Sequence, residues 1–312
     1  MIQLQNLTKD YGTLRAVDHI NFDINEGEIL GFLGPNGAGK TTTLRMITSF
    51  LKPTSGNINV ENFDIDKDSI EIRKLIGYLP ERNPLYTDMT VFDYLKFVSD
   101  IREINNFKKR LKEVIELCGL HGIIQKPIKS LSKGYKQRVG IAQAIFHDPR
   151  ILILDEPTSG LDPNQIVEIR ELIKELGKEK TLIISSHILQ EVQAVCDRII
   201  IINNGKIVAD GSTEELQASF HNKTKLILEL IAPENELPQI VENMQDITIN
   251  RITPKGEGKL RLEIEFDSAL DKRADIYKFI KSTDWVLLEM VRDNISLEAV
   301  FRNLTIERGE TK

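Results

Sequence analysis

The sequence predicts an α/β protein built on a parallel sheet with crossover helices, followed by a small α+β module. Three observations predict it. Short apolar runs alternate with longer segments of helical spacing through about residue 210. The pattern changes after a polar stretch, Ser219 to Thr224. The chain's 312 residues also suggest two domains rather than one core.

The elements follow in order. ILGFL (Ile29 to Leu33) reads as a buried strand, and a glycine-rich turn follows it. Leu44, Ile47, Phe50 and Leu51 then recur at helical spacing. ILIL (Ile151 to Leu154) and TLIIS (Thr181 to Ser185) read as two more buried strands, with a helical stretch, Ile166 to Leu176, between them. RIIII, the turn at Asn203 to Gly205 and the return Lys206 to Ala209 read as a hairpin. The boundary is placed at 220, giving domains 1–220 and 221–312. Beyond it the order is strand (Leu226 to Ile231), helix (Leu237 to Met244), strand (Ile247 to Ile252), strand (Leu260 to Phe266), helix (Ala274 to Lys281) and strand (Trp285 to Val291). LRLEIEF alternates strictly, so that strand has one wet face. A β-α-β-β-α-β order is that of a ferredoxin-like module. A last helix carries Leu297, Val300, Phe301 and Leu304 on one face, with Ser296 as its N-cap.

Composition excludes several classes. Lysine and arginine number 41 against 47 aspartate and glutamate, a net charge of −6, so the basic footprint of a nucleic-acid binder is absent. Cys118 and Cys196 make neither a disulfide framework nor a zinc cluster, and read as buried thiols in a reducing compartment. The N-terminus, MIQLQNLTKDYG, has no basic region followed by an apolar stretch, so no signal peptide is expected. The longest apolar runs, such as Ile199 to Ile202, fall far short of the roughly 20 residues a membrane-spanning helix needs.

GPNGAGKT (Gly34 to Thr41) matches the phosphate-binding pattern G-x-x-x-x-G-K-[ST]. Glycines 34, 37 and 39 let backbone N–H groups wrap an anion without a Cβ in the way. The helix opening at Gly39 and Lys40 adds its positive end. Lys40 reaches the β- and γ-phosphates, and Thr41 offers a hydroxyl to Mg²⁺. ILILDEP places Asp155 and Glu156 at the carboxyl end of a buried strand, where parallel sheets meet their ligands. Asp155 is expected to hold Mg²⁺, and Glu156 to take a proton from the attacking water. His187 ends a third strand at the same crevice and is expected to contact the γ-phosphate.

LSKGYKQR (Leu131 to Arg138) lies between the phosphate loop and Asp155 and resembles the signature motif, usually LSGGQ, of ABC transporter ATPases. SGLD (Ser159 to Asp162) looks like their D-loop, YLPE (Tyr78 to Glu81) sits where their Q-loop sits, and Tyr11 looks like their adenine-stacking aromatic. The motifs run in the family's order over residues 1 to about 215. The resemblance implies the P-loop ABC nucleotide-binding fold with a helical lobe carrying the signature. It implies ATP and Mg²⁺ as ligands, and a nucleotide set of Tyr11, Gly34, Pro35, Asn36, Gly37, Ala38, Gly39, Lys40, Thr41 and Thr42. From the second chain of a head-to-tail dimer it implies Ser132, Lys133, Gly134 and Asp162. The resemblance implies Thr41, Asp155 and Glu81 as metal ligands, although glutamate stands where the family usually has glutamine. Lys133 and Tyr135 also depart from the signature. Lys133 reads equally well as compensating charge or as a solvated surface residue.

GYLPERNPLY, DEPTSGLDPNQ and the ending SLEAVFRNLT are similar to ABC-2 type exporter subunits, gliding-motility-associated ones among them. This implies an ATPase on the cytoplasmic face of the cell membrane, dimerised with itself or a paralogue and driving a separate polytopic permease. The expected docking surface is the Glu81 to Thr90 loop with the helix around Val91 to Ile101, rich in Tyr86, Phe92, Tyr94 and Phe97. A soluble ABC-type switch on ribosomes or DNA is the alternative. A single phosphate loop and an acidic balance disfavour it. The C-terminal module leaves dimerisation and regulation both open.

Overall fold

A computed structural model describes residues 2–219, 223–238, 240, 244, 247–256, 258–267, 271–293 and 297–306. The chain divides into two compact units, Met1–Thr213 with the chain from Leu304 on, and Glu214–Asn303. The division therefore falls a few residues before 220, and residues 304–306 belong with the first unit.

The first unit opens with β1 (Ile2–Tyr11), β2 (Leu14–Ile24), β3 (Ile29–Leu33) and α1 (Lys40–Ile47). Next come β4 (Ser55–Val60), β5 (Phe63–Asp64), α2 (Ser69–Leu75) and β6 (Ile76–Leu79). Helices α3 (Val91–Ile101), α4 (Phe107–Cys118) and α5 (Lys133–Ile145) form the expected helical lobe. The unit continues through β7 (Ile151–Asp155), α6 (Pro163–Gly177), β8 (Thr181–Ser186), α7 (Leu189–Gln193), β9 (Arg198–Asn203) and β10 (Lys206–Gly211). A six-stranded sheet runs β10-β9-β3-β8-β7-β6, parallel except for the β10 hairpin strand.

Strand β7 shows why the apolar runs are continuous. Ile151 and Ile153 join one core cluster, while Leu152 and Leu154 join the other. Both faces of the strand are covered, so no polar residue is tolerated until its end. One face packs α3 to α6. The other packs α1 and a second, antiparallel sheet in the order β2-β1-β4-β5. That second sheet is absent from the sequence reading. Its signal was a short alternation, Ile20, Phe22 and Ile24 buried with exposed residues between them, which does not extend back to Val17. Helix α1 is also shorter than the spacing predicts. It ends at Ile47, and Phe50 stands 75% exposed beyond it.

The second unit holds α8 (Thr213–Ser219) from Glu214 on, β11 (Lys223–Ile231), β12 (Ile247–Gly256), β13 (Lys259–Asp267), α9 (Arg273–Lys281), β14 (Val286–Asp293) and the start of α10 (Leu297–Ile306). Its antiparallel sheet is ordered β12-β13-β11-β14, as the ferredoxin-like reading requires. Leu226, Leu228, Leu230, Leu262 and Ile264 pack with Ile276, Ile280 and Trp285 in a separate core. Half of the predicted helix Leu237 to Met244, and the Ser296 cap, lie outside the described residues. In the first unit the Asn203 side-chain amide donates to the Leu304 and Thr305 carbonyls at 3.1 and 3.3 Å, satisfying carbonyls that a helix end leaves open.

Candidate nucleotide-binding and hydrolysis site

The phosphate loop connects buried β3 to α1, so its N–H groups gather at the positive end of a helix. Its helix N-cap, Gly39, has φ +109°, and a Cβ there would stand 2.5 Å from the Ala16 carbonyl. Only glycine permits that approach of loop to β2. The loop is braced from behind, where the Gly205 N–H donates to the Ala38 carbonyl at 2.9 Å. Lys40 is 6% exposed, and its Nζ donates to the Gly34 carbonyl at 2.7 Å and the Pro35 carbonyl at 3.2 Å. Nζ also lies 3.4 Å from Glu156 Oε1.

The two carboxylates arrive on β7 and the turn after it. Asp155 is wholly buried, and burial pushes its carboxyl above the usual aspartate range. Ser185 Oγ donates to Asp155 Oδ1 at 2.5 Å, and Thr41 Oγ1 donates to the same oxygen at 3.2 Å, both opposing that rise. Asp155 Oδ2 is buried with no hydrogen-bond partner. Glu156 has φ +51°, in the left-handed region that a glutamate rarely occupies. Its N–H donates to Ser185 Oγ at 3.0 Å and to the Ser185 carbonyl at 3.2 Å, which fixes the turn. Strained backbone held in this way aims the carboxylate rather than leaving it to the turn. His187 Nδ1 is 2.8 Å from Glu156 Oε2, leaving Nε2 for another partner.

A cavity of about 310 Å³ is lined by Ala16, Asn36, Gly37, Gly39, Lys40, Thr41, Thr42, Glu81 and Glu156. The structure thus joins the phosphate loop, Glu81 and Glu156 in one space, with Asp155 bonded to Thr41 and His187 to Glu156. Tyr11 does not line it. Its ring ends β1, 46% exposed, with Lys9 Nζ 5.5 Å from the ring centre. Nor do Ser132, Lys133, Gly134 and Asp162 line it. Ser132 caps α5 by accepting from the Tyr135 N–H, and Asp162 caps α6 by accepting from the Gln165 N–H. A Cβ on Gly134 would meet the Gln165 side chain at 2.6 Å, and one on Gly160 would meet Lys133 Nζ at 2.1 Å. The signature turn and the SGLD turn therefore pack on each other, and Lys133 lies against Gly160.

Sequence reasoning missed Ser185, whose hydroxyl donates to the Asp155 carboxylate and accepts from the Glu156 backbone N–H. It also missed the buried Glu191, which accepts from Thr158 Oγ1 at 2.6 Å and Ser186 Oγ at 2.8 Å. The paired serines after the apolar run TLII carried the available signal: a hydroxyl ending a buried strand needs a partner.

Residues 17–159 match the ABC transporter family model. The chain is 41% identical over 241 residues to the bacitracin transport ATP-binding protein of Bacillus licheniformis, covering 73% of this chain and 78% of the relative. The chain belongs to the ABC transporter family. It is also 33% identical over 314 residues to the linearmycin resistance ATP-binding protein of Bacillus subtilis, covering 98% of each chain. A solved ABC cassette, dimeric in a post-hydrolysis state with ADP and phosphate, superposes with a TM-score of 0.62 at 28% identity, covering 68% of this chain and 98% of the cassette. As an ABC ATPase the chain binds nucleotide and hydrolyses ATP. The names of these two relatives concern antibiotic transport and resistance, not gliding motility. No helix among the described residues is long and apolar enough to cross a membrane.

Proposed function

We propose that this ABC ATPase is the energy-coupling subunit of an ABC-2 type exporter, working as a dimer on the cytoplasmic face of a separate polytopic permease. Likeness to bacitracin-transport and linearmycin-resistance proteins directs the reading to antibiotic export. The observation that carries the coupling is the placement of residues 80–82. Glu81 lines the nucleotide cavity, while Pro80 and Arg82 line a separate groove that continues toward Tyr86, Phe97 and α3. A partner pressing on that groove moves the residue that faces the nucleotide. Of the four aromatics expected at the docking surface, Tyr86 and Phe97 stand exposed, whereas Tyr94 and Phe92 pack into the core.

In the hydrolytic step Lys40 leaves its carbonyl partners for the β- and γ-phosphates. Glu156 accepts a proton from the attacking water, and His187 holds the Glu156 carboxylate on line through Oε2. The orphaned Asp155 Oδ2, on the carboxylate whose Oδ1 accepts from the Thr41 hydroxyl, fits Mg²⁺, which takes few protein ligands and completes its shell with water and phosphate. Thr41 and Asp155 would hold the ion, with Glu81 on the cavity wall as a third oxygen donor. Bound there, Mg²⁺ supplies charge neutralisation for the transferred phosphoryl group. Ser132, Lys133, Gly134 and Asp162 serve the nucleotide of a second copy, identical or paralogous. A two-fold head-to-tail interface closes two such sites together. Closure is favoured by ATP because only the closed state uses both halves.

Tagged full-length chain recovered from gently solubilised native membranes tests this. A stoichiometric polytopic membrane protein, identified by mass spectrometry, is expected. Recovery only with ribosomal or DNA-associated proteins would overturn the exporter reading and leave the ATPase chemistry in place.

A further inference from the structure

The groove beyond Pro80 has a charge that the ATPase chemistry does not use. Its main cavity, about 460 Å³, is lined by Arg45, Arg73, Arg82 and Arg102 around apolar walls that include Phe50 and Ile76. Arg102 extends it toward Tyr86 and Phe97 on one side, and with Arg73 toward Ile70 and Ile101 on the other. Arg102 Nη1 donates to the Arg73 carbonyl at 2.9 Å, which draws the two cations together. Desolvation first, and Arg73 second, pull the Arg102 guanidinium below its usual range.

Among the described residues, none of the four arginines has a carboxylate oxygen within 4.0 Å. The nearby Lys74 does, through Glu71 at 2.8 Å. Glu103 lines the outer end of the groove without pairing with any of the four. Four fixed positive charges and an apolar floor are complementary to a segment carrying carboxylates on one side and apolar side chains on the other. Arginine's planar fork suits paired carboxylates better than a point charge does.

We propose that the permease segment seated in this groove is acidic and amphipathic, with its carboxylates on Arg73, Arg82 and Arg102 and its apolar side on Phe50 and Ile101. This rests on the exporter reading and deepens it by naming the partner's chemistry. Cytoplasmic segments of membrane proteins are ordinarily rich in lysine and arginine, so the expectation is a specific departure from the rule.

The test uses the full-length chain copurified with its permease. Retention is measured as salt rises from about 0.1 M to about 1 M, over which the screening length falls from about 10 Å to about 3 Å. The wild-type complex should weaken steeply with salt. Arg73→Glu/Arg102→Glu should weaken it about tenfold or more at low salt, and Arg102→Gln less. Exchanging carboxylates for lysine in the permease's cytoplasmic loops should restore the reversed variant. Arg82→Glu, on an exposed loop, gives a second reversal if the double variant fails to fold. A complex indifferent both to salt and to these reversals overturns the acidic segment while keeping the exporter. Reversal that abolishes binding to phosphatidylglycerol vesicles but spares the permease complex assigns the groove to lipid headgroups and overturns it too. A wild-type chain recovered with no membrane protein overturns the exporter reading and this inference together.

Discussion

Two glycines of the phosphate loop should respond very differently to the same added methyl. Gly37 has φ +81° with nothing within 4 Å of a built Cβ, so Gly37→Ala meets only the conformational cost, about 1–2 kcal/mol. Gly39 has φ +109°, and its Cβ would lie 2.5 Å from the Ala16 carbonyl oxygen, a backbone atom of β2 that cannot rotate away. Gly39→Ala adds overpacking of about 1–3 kcal/mol to a strain of about 1–3 kcal/mol, and a total near 3–5 kcal/mol is expected. In a unit of this size each kcal/mol lowers Tm by about 2–4 °C. Gly37→Ala should therefore lose about 2–8 °C and Gly39→Ala about 6–20 °C. Ala16 lines the nucleotide cavity, so the displaced strand should also cost Gly39→Ala most of its ATP affinity. Thermal unfolding by circular dichroism without nucleotide, paired with calorimetric ATP titration, measures both. Equal losses for the two variants would refute the steric reading of Gly39.

Three further outcomes are expected. Ser185→Ala removes a buried donor to a carboxylate and should cost about 1.5–3 kcal/mol in urea unfolding, and wild-type stability would deny that Ser185 holds β7 and β8 together at the site. His187→Ala should lower kcat about tenfold to hundredfold with ATP affinity kept, because it frees the Glu156 carboxylate; steady-state kinetics that lose KM instead would place His187 in binding. His147 is held down to about 4, by burial first, against an ordinary 6.5. The unfolded chain thus binds the proton more readily, and stability from this group is full above pH 6.5 and is lost as pH falls toward 4. Urea midpoints at pH 7 and pH 5 should show that slope in the wild type and a shallower one in His147→Gln.

What was legible in the sequence had local signals. The phosphate loop is eight consecutive residues, and β3, β7 and β8 announce themselves because two-sided burial excludes charged residues until Asp155 ends β7 and confines the hydroxyls of β8 to its two ends. The ferredoxin-like order was legible for a similar reason, since one-sided burial prints an alternation on Leu260 to Phe266. The grip of Ser185 on Asp155 spans 30 residues and depends on the register Asp155 to Ser185, which no local pattern specifies. Strands β1 and β2 carry polar residues on their open faces and bulges in their pairing, which broke the alternation that would have revealed them. The groove draws its arginines from positions 45, 73, 82 and 102, so its charge appears only in three dimensions.

Glu156 is proposed to drive hydrolysis in a site completed by a second copy. Glu156→Gln should still bind ATP, hydrolyse it poorly and accumulate in ATP and Mg²⁺ as a dimer. Size exclusion with light scattering, run beside a phosphate-release assay, measures both properties on one preparation. A mass twice that of the monomer with phosphate release nearly abolished is the predicted result. A monomer hydrolysing ATP at the wild-type rate would contradict it.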